Sequence, residues 1–262
     1  MRTLRAQLLR LLVAGGAAGL LVLLVLPLAA LVLRVPPAAL LQRLREPLVL
    51  EALRLSLITS AGATALVVAL GLPLAYLLAT RRFPGKRVVE LLVDLPLVLP
   101  PTVAGLALLA AFGRAGLAGG VLRGVGLTLP FTTLGVVVAQ AFVSAPFFVG
   151  AARTGLAEVD RRYLDMASTL RSPPARTFAR VMLPLALPSL LGGAAMSWAR
   201  ALGEFGATIT FAGNLPGVTQ TMPLAVYLAL QTDLEAAVAL SVLLLGVSVV
   251  VLLLVRARRP AR

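Results

Sequence analysis

The sequence contains no cysteine and no histidine among its 262 residues, and only 13% of the residues are charged. The lack of cysteine excludes disulfides and thiolate chemistry, and the lack of histidine excludes imidazole metal ligands and histidine-based acid–base catalysis. By contrast, 60% of the residues are hydrophobic, well above the usual content of soluble domains. The composition therefore predicts an integral membrane protein.

Long apolar runs divide the chain. Because a helix needs about 20 apolar residues to cross the hydrocarbon core, the runs predict an all-α polytopic membrane protein, a single transmembrane domain over residues 1–262. The run at residues 11–33 is too long for the core of a signal peptide, and Pro96, Pro100 and Pro101 interrupt the start of the third run. The six predicted spans are residues 11–33, 55–80, 95–113, 124–152, 183–211 and 236–255.

The net charge of +14 is carried by 23 arginines and one lysine, Lys86. In a soluble protein this charge would suggest a nucleic-acid partner, but here its placement indicates topology and no nucleic acid. Basic residues concentrate in cytoplasmic connections, so the following division puts both termini in the cytoplasm. The predicted cytoplasmic side holds Arg2, Arg5, Arg10, Arg81, Arg82, Lys86, Arg87, Arg153, Arg161, Arg162, Arg171, Arg176, Arg180, Arg256, Arg258, Arg259 and Arg262, and the opposite side Arg34, Arg43, Arg45, Arg54, Arg114 and Arg123.

The fourth and fifth spans are joined by a predicted cytoplasmic loop at residues 156–184. Asp160 is suited to cap a short amphipathic helix, which Pro173 and Pro174 must end because proline has no amide hydrogen. The apolar face needs a surface to cover it, either the lipid interface or another protein. The residues predicted to share that face are Tyr163, Leu164, Ala167 and Leu170.

This loop resembles the EAA loop of permeases from ATP-binding-cassette (ABC) importers, in which Glu-Ala-Ala precedes a glycine and a final Leu-Pro. Asp and Met replace the first two residues of the pattern, and Arg171 replaces the glycine. Glycine would make a left-handed turn at little cost, whereas arginine either adopts this turn with modest strain or the helix ends differently. The resemblance implies that the helix docks on a cytoplasmic ATPase subunit and couples hydrolysis to transport. The matching positions, with every spacing kept, are Asp165, Met166, Ala167, Arg171, Val181, Leu183 and Pro184.

Two further segments resemble permeases for molybdate and tungstate. They are residues 199–231, which begin ARALGEFGATITF, and residues 95–105, LPLVLPPTVAG. Sulfate and thiosulfate permeases share the Gly-Glu-Phe-Gly core, so these remain an alternative. The resemblance implies the type I (MetI-like) importer fold in a bacterial inner membrane and alternating access. It also implies three kinds of partner: a second copy of the chain, two ATPase subunits and an extracytoplasmic molybdate- or tungstate-binding protein.

Two charges and several hydroxyl groups lie inside the predicted spans. Arg200 and Glu204 are four residues apart, and an unpaired charge at that depth is costly. They are predicted to neutralise one another or partners across a helix interface, either beside the translocation pathway or as a structural pair. Hydroxyl groups could pass an oxyanion through neutral hydrogen bonds, or simply bond to their own helix. These candidates are Thr102, Ser197, Thr208 and Thr210.

Asn214, Pro216 and Gly217 form a predicted turn with a positive φ at Gly217. The resemblance implies that this side receives the binding protein, although a plain connector would have the same pattern.

The sequence contains no nucleotide-binding loop of the type GxxxxGK[ST]. No catalytic residue, metal ligand or cofactor is therefore predicted in this chain, and ATP and magnesium are expected on the partner ATPase. A channel or ion-driven transporter would more often carry several acids within its spans. A membrane enzyme would need a cluster of catalytic groups, which the spacing of the acidic residues does not suggest.

Overall fold

The computed structural model describes residues 2–257, with side chains described for residues 10–38 and 40–253. The predicted basic ends fall partly outside this range: Arg258, Arg259 and Arg262 lie outside the described residues, as do the side chains of Arg2, Arg5 and Arg256. The described residues form thirteen α-helices and one π-helical turn. They are α1 (Arg2–Leu33), α2 (Pro37–Leu44), α3 (Pro47–Thr80), α4 (Lys86–Val98), α5 (Pro101–Phe112), α6 (Gly119–Gly124), α7 (Thr133–Ala157), α8 (Arg161–Thr169), α9 (Pro174–Thr177), the π-helical turn (Phe178–Met182), α10 (Leu183–Leu202), α11 (Gly206–Ala212), α12 (Met222–Thr232) and α13 (Leu234–Ala257).

Within the described range, five helical segments are long and apolar enough to cross a membrane. The predicted third span, residues 95–113, is not one of them, because α4 ends at Val98 and α5 begins at Pro101. Pro100 cannot donate a backbone hydrogen bond and holds Leu99 in an extended conformation. The five segments are Arg10–Leu33, Pro47–Thr80, Thr133–Ala157, Pro174–Leu202 and Leu234–Leu253.

Among the other long helices, α3 and α7 differ from the predicted spans at their starts, and α10 ends at Leu202, before the predicted end at residue 211. The predicted fourth span began at residue 124, but α7 begins at Thr133, where the Thr132 hydroxyl accepts a hydrogen bond from the Gly135 amide at 3.1 Å. The predicted second span began at residue 55, but α3 begins at Pro47 and carries Glu51 and Arg54 in its first turns. Charged first turns can extend beyond the hydrocarbon, which a count of charge-free residues does not detect.

The core lies between α3, α7 and α10. Small residues let these helices approach closely. A Cβ atom on Gly193 would lie 2.7 Å from the Cβ of Ala151, and one on Gly155 would lie 2.4 Å from the Cβ of Ser189. This register makes α7 and α10 antiparallel, as expected for successive membrane spans.

The first long helix, α1, lies on the outside of this core. No residue of its span Arg10–Leu33 is buried, so most of the apolar surface of this span faces lipid or another subunit. At the start of α13, the Asp233 carboxylate accepts a hydrogen bond from the Ala236 amide at 3.1 Å and lies 3.2 Å from Arg43 of α2. The amide hydrogen bond, with help from Arg43, lowers the pKa of Asp233, so the capping carboxylate stays ionised.

Candidate functional site

The loop between α7 and α10 contains the predicted amphipathic helix, α8. Asp160 caps it as expected, because its carboxylate accepts a hydrogen bond from the Arg162 amide at 2.9 Å. The helix ends at Thr169, and Pro174 then begins α9. The predicted cap is confirmed, whereas the helix already ends before the prolines that were predicted to stop it.

The apolar residues of α8 do not all point the same way, which corrects the predicted single face. Leu164 packs against the core around α3, α7 and α10, and Ala167 is buried. Tyr163, Met166 and Leu170 instead form an exposed apolar stripe, with 51%, 62% and 80% of their surfaces accessible. At 100° per residue, positions 163, 166 and 170 follow one side of a helix while 164 and 167 lie beside it. The helix therefore uses one edge to attach to its own subunit and leaves the stripe free.

Arg171 takes the left-handed conformation that glycine favours, with φ at 51°. The amide of Ser172 donates to the carbonyl of Ala167, and the amide of Arg171 donates to that of Ser168, both at 2.9 Å. These two bonds are the Schellman arrangement that closes a helix C-terminus. The turn is therefore kept without glycine, although the left-handed conformation costs a residue with a side chain about 1–2 kcal/mol.

A π-helical turn follows at Phe178–Met182, within the matching part of the loop. The Leu183 amide donates to the Phe178 carbonyl, five residues back. Pro184 and Pro188 lack the amides that would satisfy the usual carbonyls four residues before them. Val181 and Leu183 are half-buried and Pro184 is exposed, so this turn joins α9, which follows α8, to the core helix α10.

The predicted fifth span is broken at Gly203–Phe205. Although α10 ends before Glu204, the predicted pair forms: Arg200 Nη1 lies 2.6 Å from Glu204 Oε2. The other carboxylate oxygen, Oε1, accepts a hydrogen bond from the Ala207 amide at 2.8 Å and so caps α11. Glu204 is almost fully buried, while the Arg200 side chain keeps 29% of its surface exposed. The carboxylate thus ties the end of α10 to the start of α11.

The break also holds α11 against α5. A Cβ atom on Gly206 would lie 2.4 Å from the Cβ of Pro101, so only glycine allows this contact. Thr102 follows Pro101 and is exposed, whereas the Thr210 hydroxyl donates to the Gly206 carbonyl at 2.9 Å. The broken span between α4 and α5 and the broken span between α10 and α11 therefore meet at one place.

Two of the hydroxyl candidates are fully buried without a hydrogen-bond partner, Ser197 and Thr208. Sequence reasoning missed other such groups among the described residues, including the Gln140 side chain of α7, whose amide nitrogen and oxygen are both buried and unpartnered. Buried polar groups normally have partners, and exceptions often mark a place for water or an ion. The signal that could have identified this group is a polar glutamine side chain within an apolar predicted span.

The predicted turn at Asn214, Pro216 and Gly217 lies between α11 and α12, at the end of the subunit opposite to α8. Gly217 has a φ of 73°, and the Val218 amide donates to the Leu215 carbonyl at 3.1 Å, as in a type II turn. The turn is fixed to the core, because the Thr133 hydroxyl donates to the Val218 carbonyl at 2.9 Å. Asn214 is half-buried, whereas Pro216 and Gly217 are exposed.

Most of the chain is similar to known proteins. Residues 68–261 match the family described as the binding-protein-dependent transport system inner membrane component. The chain is 50% identical over 195 residues to the molybdenum transport system permease protein ModB of Mycobacterium tuberculosis, covering 73% of this chain and 72% of that protein. It is 39% identical over 183 residues to the sulfate transport system permease protein CysT of Salmonella typhimurium, covering 70% and 66%.

The fold also matches a solved structure, that of a bacterial ABC transporter involved in the import of the acidic polysaccharide alginate. The TM-score is 0.79 at 14% identity, and the match covers 98% of this chain and 97% of the other. This likeness supports the fold alone, whereas the family match and the sequence relatives support membership. The chain belongs to the family of inner membrane components of binding-protein-dependent transport systems and is a multi-pass membrane permease subunit of an ABC transporter.

Proposed function

We propose that this chain is the permease subunit of an ABC importer that moves molybdate or tungstate into the cytoplasm. The 50% identity to a molybdenum transport permease over most of both chains carries the proposal. The working assembly is a homodimer of this chain with two ATPase subunits and an extracytoplasmic oxyanion-binding protein. ATP and magnesium belong to the ATPase subunits. Both termini of this chain lie in the cytoplasm, with α4 and α5 together making the sixth crossing.

The α8 stripe of Tyr163, Met166 and Leu170 is proposed as the contact with the ATPase. Three exposed apolar side chains on a rigid helix suit a helix-in-groove contact, and Leu164 and Ala167 attach that helix to the core. A displacement of α8 by the ATPase would be transmitted through the π-helical turn to α10. Because α10 leads to the break at Glu204, the same movement can reorient α11 and switch access from one side of the membrane to the other.

For Glu204 we propose the structural one of the two interpretations of its pair with Arg200. A carboxylate that is 1% exposed, ion-paired and bonded to a backbone amide has little capacity to repel or release an anion. Arg200, still 29% exposed, and Thr102 remain candidates for the pathway. A partly neutralised arginine suits conduction, because a strong anion site would trap its cargo.

Two other groups of candidate residues have less direct roles in transport. They are the buried hydroxyls of Ser197 and Thr208, and the turn at Asn214, Pro216 and Gly217. Ser197 and Thr208 are accessible to an oxyanion only if the helices around them separate during transport. The turn at Pro216 and Gly217 is exposed and rigidly held, which suits a contact with the binding protein. Sulfate is the second candidate substrate, because the 39% identical relative is a sulfate permease.

The test is uptake of radioactive molybdate into proteoliposomes that contain this chain, its ATPase partner and its binding protein. We expect uptake to need ATP and to be inhibited by excess tungstate but not by excess sulfate. The control is the same assembly with an ATPase unable to hydrolyse ATP. Inhibition by sulfate as strong as by tungstate would assign the chain to sulfate transport, and uptake without ATP would contradict an ABC importer.

A further inference from the structure

Four basic residues surround the loop between α3 and α4: Arg81, Arg82, Lys86 and Arg87. A cavity of about 620 Å³ opens here, with Arg82, Lys86 and Arg87 in its wall. The loop lies at the end of the subunit that the arginine distribution assigns to the cytoplasm. Neither the transport mechanism nor the α8 contact makes use of this cavity.

The cavity carries positive charge without an internal counter-ion. In the part of the chain that the structure describes, no carboxylate oxygen lies within 4.0 Å of any of the four basic side chains. The one acidic residue in the wall, Glu90, lies 3.0 Å from Arg153 of α7 and is neutralised there. The cavity is therefore suited to an anionic group.

An apolar cavity lies further along the same helix. It has a volume of about 340 Å³, lies between α3, α4, α5 and α7, and all of its wall residues are apolar. Leu92 is in this wall, and Val88 is in the wall of the basic cavity. These two residues are four positions apart in α4, which is about 6 Å along a helix axis. Leu91 and Leu95 on α4 are exposed, so the surface beside both cavities is apolar and suited to lipid.

We propose that the two cavities bind one anionic phospholipid, with its phosphate among Arg82, Lys86 and Arg87 and part of an acyl chain in the apolar cavity. Basic pockets beside membrane helices are suited to anionic headgroups. An acidic surface of a partner protein would satisfy the basic cavity but would leave the apolar one unfilled. The lipid therefore explains both cavities, and its binding does not depend on which oxyanion is transported.

The test is a titration of the full chain, purified in detergent with its ATPase partner, with phosphatidylglycerol or phosphatidylcholine, read by native mass spectrometry. For the variant R82Q/K86Q/R87Q we expect phosphatidylglycerol to bind at least about tenfold more weakly. The matched control R54Q/R114Q/R123Q removes the same charge from exposed arginines elsewhere and should leave binding unchanged. Phosphatidylcholine should bind weakly to all three proteins.

A second variant tests the acyl chain. Ala145 is half-buried in the wall of the apolar cavity, and Ala145→Phe would fill it without changing the charge. We expect it to weaken phosphatidylglycerol binding severalfold. Unchanged binding in this variant would overturn the proposal, as would equal loss in the two charge variants.

Two other outcomes would identify a different occupant. Inorganic phosphate that competes with phosphatidylglycerol at equal concentration would indicate a site for free anions. Loss of the ATPase subunit from R82Q/K86Q/R87Q, with phosphatidylglycerol binding kept, would indicate a protein contact. Either result would overturn the lipid proposal while leaving the transport function in place.

Discussion

The Arg200–Glu204 pair shows how unequal burial decides the cost of breaking an ion pair. Removing one partner of a buried pair is costly because it leaves the other charge without compensation. Glu204 is 1% exposed and Arg200 is 29% exposed. The carboxylate therefore depends on the arginine more than the arginine depends on the carboxylate.

We accordingly expect Arg200→Gln to destabilise the solubilised protein more than Glu204→Gln, by about 1–3 kcal/mol. The glutamine at 204 can still accept the Ala207 hydrogen bond, and Arg200 can turn toward its exposed side. The double variant should recover part of the stability, and melting temperatures in one detergent would measure the order. Equal stability in all variants, with transport abolished in Arg200→Gln alone, would instead place Arg200 in the pathway.

At the scale of single residues, sequence reasoning predicted the cap at Asp160 and the pairing of Arg200 with Glu204. The aligned glycine marked the position of the turn, but the sequence left open whether Arg171 would adopt the left-handed conformation or the helix would end differently. The exposures of Leu164 and Ala167 were not predictable. Helical periodicity groups apolar residues together, but it does not tell which of them meets the subunit's own core.

At the scale of the helix, α8 offers two neighbouring positions with opposite environments. Leu170→Asp places a charge on a residue that is 80% exposed, so the permease should still fold but should no longer bind the ATPase. Ala167→Asp places the same charge on a residue that is 8% exposed, so the protein itself should be destabilised by several kcal/mol.

The measurement for these two variants is co-purification with the ATPase, together with the melting temperature of the permease alone. Leu170→Met, which keeps an apolar side chain of similar size, is the matched control and should bind normally. A complex that survives Leu170→Asp with coupled hydrolysis would show that the stripe is not the docking surface.

The long helices were predicted from charge-free runs, but the sequence signalled only one of their two breaks. The break at Leu99 and Pro100 was signalled by the proline cluster, which counting charges over a window cannot detect. The break at Gly203–Phe205 depends on a local hydrogen bond from the Ala207 amide to Glu204 and on a contact between distant segments, in which Gly206 packs on Pro101. Such contacts are visible only once α5 and α11 are side by side.

At the scale of the whole molecule, the orientation in the membrane is the prediction with the widest consequences. If the predicted orientation holds, Leu117 lies on the extracytoplasmic side of the inner membrane and Leu170 on the cytoplasmic side. These residues are 96% and 80% exposed, and the chain has no cysteine of its own. Single-cysteine variants at the two positions therefore report on topology without background labelling.

We expect Leu117→Cys to react with a membrane-impermeant maleimide in spheroplasts, which give the reagent access to the outer face of the inner membrane. Leu170→Cys should react only after the membrane is permeabilised, and less when the ATPase is bound over α8. The parent chain should not react at all. The orientation is predicted from the arginine excess. The reverse labelling pattern would place α8 on the extracytoplasmic side of the membrane, where no ATPase could reach it. That result would exclude the coupling role of the stripe together with the predicted topology.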